Sequence, residues 1–194
     1  MLNSYPQELL QAKCQSIVEE TLREKYISLS WNNFILREGE KTSIECDVAF
    51  SRDWDHRHVS GSGDGVVDAL YTAMVDAFSQ DFVSLRRVTF DDFKMDVKFK
   101  KSTRRSASPV EIKLALKNAN DKNIYFSSES RSMVRASVAV VFSACEYLIN
   151  AERAILCLRD LIDDAQVRRR QDLVMVYTDK MVDLVGVTSY EEIL

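Results

Sequence analysis

At 194 residues with a formal net charge of −4, the chain is long enough for one well-formed core and too short for a (β/α)₈ barrel with anything added. A hydrophobic content of 46% with two prolines marks an ordered globular domain, and the acidic balance excludes nucleic-acid binding by bulk charge. Cys14, Cys46, Cys145 and Cys157 show no CxxC pairing, which fits reduced thiols in a cytoplasm and implies no zinc site. The N-terminus does not resemble a signal peptide, and no apolar run reaches membrane-span length, so neither export nor a membrane is expected.

Residues 6–24 place Leu9, Leu10, Cys14, Ile17, Val18 and Leu22 at helical spacing behind Pro6, which predicts an amphipathic helix that must dock on something. The segment that follows contains a repeat. Three strand patterns, at 27–36, 42–50 and 55–62, lead into a helix at 65–78. Three more, at 84–99, 109–116 and 122–130, lead into a helix at 132–149. Each half has about 60 residues and a turn rich in Gly or Ser just before its helix. The reading is therefore an α+β fold: two βββα units (27–82 and 83–150) related by a pseudo-twofold axis, with a helical segment before them (1–26) and a helical extension after them (151–194).

The second helix is apolar on nearly every side, from Met133 through Cys145, so it needs burial on both faces, and a homodimer interface is a reasonable home for the second one. In the extension, Ile155, Leu156, Leu158, Leu161 and Ile162 form a helical stripe that either continues that helix or doubles back on it. The later stretch LVMVYTDKMVDLVGV reads as a strand or a helix.

Three of the five glycines, Gly61, Gly63 and Gly65, crowd into the turn before the first helix. Such a turn means a tight bend or a close approach at a helix N-terminus, where free N–H groups and the helix dipole favour a carboxylate or phosphate. Here the residues carry a resemblance. Gly63, Asp64, Gly65, Val67, Asp68 and Ala69, with Val66 in a position where proline is usual, resemble the first turn of the C-terminal regulatory domain of the 2-isopropylmalate, citramalate and homocitrate synthase family. Phe90-Asp91-Asp92-Phe93 resembles the strand opening that domain's second half, and Ser130 with Ala136-Ser137 its second turn. Ser128 and Ser132 stand where glycine and aspartate are usual.

The resemblance implies two βββα units, a dimer and feedback control by an end-product amino acid of leucine type. It also implies a non-catalytic regulatory role in the cytoplasm, with a synthase domain or subunit as a further partner. The candidate ligand residues are Ser62, Gly63, Asp64, Gly65, Val67, Asp68, Ala69, Ser128, Ser130, Met133 and Ala136. Helix N-termini would hold the carboxylate, small and apolar side chains the aliphatic end, and serine hydroxyls the polar end. The same serines and glycines also suit simple capping of two helices.

Catalysis by this chain alone is not expected. A synthase barrel would need some ~250 further residues, and no nucleophile sits near a base. His56 and His58 share one strand face near Asp53 and Asp55, but a solvated edge explains them more simply than a metal, and no cofactor is assigned. The basic run Lys98, Lys100, Lys101, Arg104 and Arg105 reads as a solvated hairpin loop rather than a nucleic-acid site. Two readings stand: a regulatory module that binds a branched-chain amino acid, and an interaction module that kept the fold and lost the ligand.

Overall fold

Alternating burial along the two halves of the repeat produces two separate three-stranded antiparallel sheets in the computed structural model, which describes residues 4–51, 56–97 and 108–188. The first sheet orders β1 (Leu29–Glu38), β2 (Thr42–Phe50) and β3 (His56–Gly63). The second orders β4 (Thr89–Val97), β5 (Val110–Lys117) and β6 (Asn123–Ser130). Each third strand runs into a helix, α2 (Val66–Phe78) or α3 (Met133–Val167), while α1 (Ser4–Leu22) precedes the sheets and α4 (Gln171–Thr188) follows them. The fold is therefore α+β with two βββα units and helices at both ends. Asp53, Asp55 and the basic run from Lys98 to Arg105 lie outside the described residues.

The period-2 pattern decides which face of each sheet is buried. On β2, Ile44, Cys46 and Val48 are sealed while Asp47 between them is exposed; on β5, Ile112, Leu114 and Leu116 point inward with Lys113 outside. One face of each sheet thus packs on helix and the other faces water.

The apolar helix α3 finds its second face covered within the same chain, which corrects the expectation that a subunit interface would take it. Cys14, Ile17, Val18 and Leu22 of α1 and Leu184 and Val185 of α4 join the core around Val138, Val141, Ala144, Cys145 and Leu148. Residues 151–167 continue α3 without a break, so the boundary expected at 150 falls inside one helix, and Ile155, Leu158, Ile162 and Ala165 bury the stripe. The chain then reverses at Arg169, whose φ of 57° is left-handed, and the ambiguous stretch after it is helix. Among the described residues α3 is the one helix long and apolar enough to cross a membrane; 67% of its most apolar window is buried inside the protein, as in a core helix.

Polar side chains on α3 also fix where both sheets begin. Asn150, fully buried, accepts from the Ile27 N–H (2.9 Å) and donates to the Ile27 carbonyl (2.7 Å), and Glu146 accepts from the Leu29 N–H (2.7 Å). Two residues beyond Asn150, Glu152 accepts from the Val83 and Ser84 N–H groups ahead of β4. The Ser84 N–H is buried, and left unpaired it would cost about 1–3 kcal/mol.

The two units reuse one aromatic contact. Trp31 on β1 rests on Phe142 of α3 with ring centroids 4.6 Å apart; Phe90 on β4 rests on Tyr71 of α2 at 4.9 Å. Each first strand is therefore covered by the helix of the other unit. Because α2 has 13 residues against 35 in α3, the cover over β4 ends early. Phe93, Met95 and Val97 lie opposite Leu114, Ile112 and Val110, on the helix-facing side of the sheet, yet are 49%, 49% and 41% exposed.

The glycine turn has a packing cause at two of its three positions. A Cβ on Gly61 would lie 2.5 Å from the Ala69 carbonyl oxygen and 2.8 Å from the Ala73 nitrogen, and one on Gly63 would lie 2.3 Å from the Asp68 carboxylate and 2.6 Å from the Ala69 nitrogen. What approaches these glycines closely is α2 itself. Gly65 has nothing within 4 Å of such a Cβ and an extended backbone that any residue adopts. Gly61→Ala is accordingly expected to lower unfolding stability by about 1–3 kcal/mol, because backbone atoms must shift. Gly65→Ser, at an N-cap, should be neutral or stabilising by a few tenths. Urea unfolding of the two variants checks this, and equal losses would contradict the packing account.

Candidate functional site

The pseudo-twofold arrangement brings the starts of α2 and α3 to one cleft of about 580 Å³. The turn and first helical turn of α2 supply Asp64, Gly65, Val66, Val67 and Asp68, and α3 supplies Met133 and Ser137. Phe90, Asp91, Asp92 and Phe93 of β4 form a second wall with Leu114 of β5 behind them, and Glu38 and Thr42 close the end where β1 turns into β2.

Local geometry at both helix starts follows from the residues there. Gly65 is the N-cap of α2 and offers no side chain, so Asp68, three residues on, reaches back and its Oδ2 accepts from the Asp64 N–H at 2.9 Å. The Ala69 N–H bonds the Gly65 carbonyl, which leaves the N–H groups of Val66 and Val67 without intrahelical acceptors. At α3 the N-cap is Ser132, whose Oγ accepts from the Arg135 N–H at 3.3 Å, while Ser130 Oγ accepts from the Ser132 N–H at 3.2 Å. Serine in place of aspartate at 132 therefore keeps the capping function.

Of the residues expected from the sequence, Asp64, Gly65, Val67, Asp68 and Met133 line the cleft together. Ser62 is exposed on β3, and Gly63 is buried beneath Asp68. Ala69 and Ala136 are fully buried on the core sides of their helices. Ser128 lies opposite Ile112 on β6, and Ser130 serves the cap described above. Sequence reasoning did not assign Glu38, Thr42, Leu114 or Ser137 to the site. The aromatic-acidic run from Phe90 to Phe93 and the pair Ala136-Ser137 carried the signals that pointed there, as motifs rather than as a lining.

The charge of the cleft is one-sided. Asp91 is held below the usual carboxylate range by Lys117, 3.1 Å away, and by Asn123 at 2.7 Å, and Asp92 pairs with Lys94. The floor is apolar, with Leu114 1% exposed between Val67, Phe90 and Met133.

Elsewhere the chain offers little chemistry. His58 Nδ1 sits 2.8 Å from Asp47 Oδ1 on the water-facing side of the first sheet, and no three His, Cys, Asp or Glu side chains among the described residues converge as metal ligands would. Burial pushes the thiols up, Cys14 and Cys46 to about 11 and Cys145 to about 12, so none of these three is an activated nucleophile. A second groove, about 600 Å³, runs between α1, β6 and α3. There the Gln11 side chain takes the place of a neighbouring strand, bonding both the N–H and the carbonyl of Tyr125 on the edge strand.

Residues 8–149 match the family described as the LeuA allosteric (dimerisation) domain, a span that takes in most of α1, both sheets, α2 and the first half of α3. No curated protein matches the chain. The match covers most of the sequence and spans both three-stranded sheets, so the role is regulatory and dimerising: the chain belongs to the LeuA allosteric (dimerisation) domain family.

Proposed function

We propose that the cleft between the starts of α2 and α3 binds a branched-chain amino acid, leucine being the natural first candidate, and that the chain acts as the sensing, dimerising part of a 2-isopropylmalate synthase-like system in the cytoplasm. The observation that carries the reading is the convergence of two helix N-termini on one cleft with an apolar floor and an acidic rim. A zwitterion with an aliphatic side chain complements all three features: its carboxylate meets helix N–H groups, its ammonium the carboxylates, and its side chain Leu114, Val67 and Met133. The free cysteines agree with a reducing compartment. A ligand held between elements of both units would couple to a catalytic partner by favouring one arrangement of the two units over another.

The second reading, an interaction module without a ligand, is favoured by the way Asp68, Ser130 and Ser132 already satisfy N–H groups at the two helix starts.

The dimer surface follows from the short α2. Phe93, Met95 and Val97 form an apolar strip on the helix-facing side of β4 that the described residues leave exposed, and a second copy is the occupant the family's dimerising role supports.

Two outcomes are expected. Leucine should raise the melting temperature, as any native-state ligand does by RT ln(1 + [L]/Kd); Gly65→Val, which fills open space at the cleft, should remove that shift while the protein still melts cooperatively. No shift with any branched-chain amino acid would favour the module without a ligand. Light scattering should find a dimer at micromolar concentration, and the pair Phe93→Asp with Met95→Lys should leave a folded monomer; a dimer that survives both changes would put the interface elsewhere.

A further inference from the structure

We infer that the outer edge of β6, with the groove beside it, is a docking site for an extended peptide segment of a partner protein, one that carries a lysine or arginine on its groove-facing side. The site lies apart from the cleft and from the strip on β4, and it does not depend on either.

β6 is an edge strand, paired with β5 on one side and with no strand among the described residues on the other. On that open side the Gln11 carboxamide meets both backbone groups of Tyr125. Its Nε2 donates to the carbonyl at 2.7 Å and its Oε1 accepts from the N–H at 2.9 Å. A side-chain amide thus stands where the peptide group of a neighbouring strand would stand, so the edge already holds the chemistry it would take from a peptide. Backbone groups alternate in direction along an antiparallel strand, and the N–H and carbonyl of Ser127, two residues on, therefore point out of the same edge. Ser127 is exposed and lines the groove, and nothing among the described residues bonds those two groups. A second peptide group fits there, and displacement of the Gln11 amide would extend the pairing to Tyr125.

The groove states which side chain the segment carries. Residues flanking the one paired with Ser127 project to the side of Phe126, where Tyr26, Tyr147 and Glu146 also line the groove. Glu146 accepts from the Tyr26 hydroxyl at 3.0 Å and from the Leu29 N–H at 2.7 Å, both neutral donors, and no cation pairs with it among the described residues. Lys113, which reaches the groove from the outer face of the sheet, is already paired with Asp96 and Glu111. Tyr147 is 5% exposed, and its buried hydroxyl has no hydrogen-bond partner among the described residues, an unmet group beside the same carboxylate-bearing helix turn. A lysine or arginine lays its methylene stem on the aromatic rings and brings its N–H donors to Glu146.

The test is an amide NMR titration of the full 194-residue chain with acetyl-Thr-Lys-Thr-Lys-Thr-amide, and with two counterparts: one with glutamate for both lysines, one methylated on the central backbone nitrogen. The lysine peptide should shift the Gln11 side-chain amide and the backbone amides of residues 125–129 at up to about 5 mM, and each counterpart should bind at least about tenfold more weakly. Ser127→Pro removes the open donor at an edge where proline is tolerated, so it should abolish these shifts and leave the melting temperature unchanged. Gln11→Ala, which frees Tyr125, should tighten binding about threefold or more. No shifts at that concentration, equal binding of either counterpart, or shifts that persist in Ser127→Pro would overturn the inference. A dimer that dissociates on Ser127→Pro would give the edge to a second copy and overturn it as well.

Discussion

Everything in this molecule is arranged around the apolar first half of α3. Its residues share one buried core with the second sheet, α2, α1 and α4. The same helix supplies the polar groups that fix both sheets: Glu146 and Asn150 hold the chain ahead of β1, and Glu152 holds it ahead of β4. Hydrophobic burial gives α3 its position and these hydrogen bonds set the register of what leans on it. The first is non-directional and large, the second small and specific.

The cleft is a consequence of that arrangement. Two copies of one unit, related by a pseudo-twofold axis, bring equivalent helix starts together, and the exchange of aromatic cover between them keeps β4 beside α2. The inequality of the helices breaks the symmetry. A 13-residue α2 cannot shield β4 as the 35-residue α3 helps to shield β1, and the result is an open wall of Phe90 and Phe93 at the cleft with an apolar strip beyond it. The asymmetry within one chain thus yields both an open cleft and an exposed apolar strip beside it.

The architecture was legible in the sequence because burial imposes a period: Ile44, Cys46 and Val48 alternate as a half-buried strand must, and the repeat of three strands and a helix is visible without any tertiary information. The glycine turn was legible as a helix start. Its cause was not, since only the folded backbone reveals that Gly61 and Gly63 make room for α2 whereas Gly65 faces open space. The destination of the second face of α3 was likewise hidden, because the apolar stripes of α1 and α4 do not state what they dock on. Glu38 and Thr42 reach the cleft through long-range contacts alone, and no local pattern marks them.

The central claim is that ligand is sensed where the two helix starts meet. Hydrogen exchange of the full chain, with and without saturating leucine, tests it most directly, because the backbone amides of those turns are what the ligand should order. The account predicts slowed exchange at residues 64–68, 90–93 and 133–137, with the groove between α1 and β6 unchanged. Protection confined to that groove, around Gln11 and Tyr125, would contradict it.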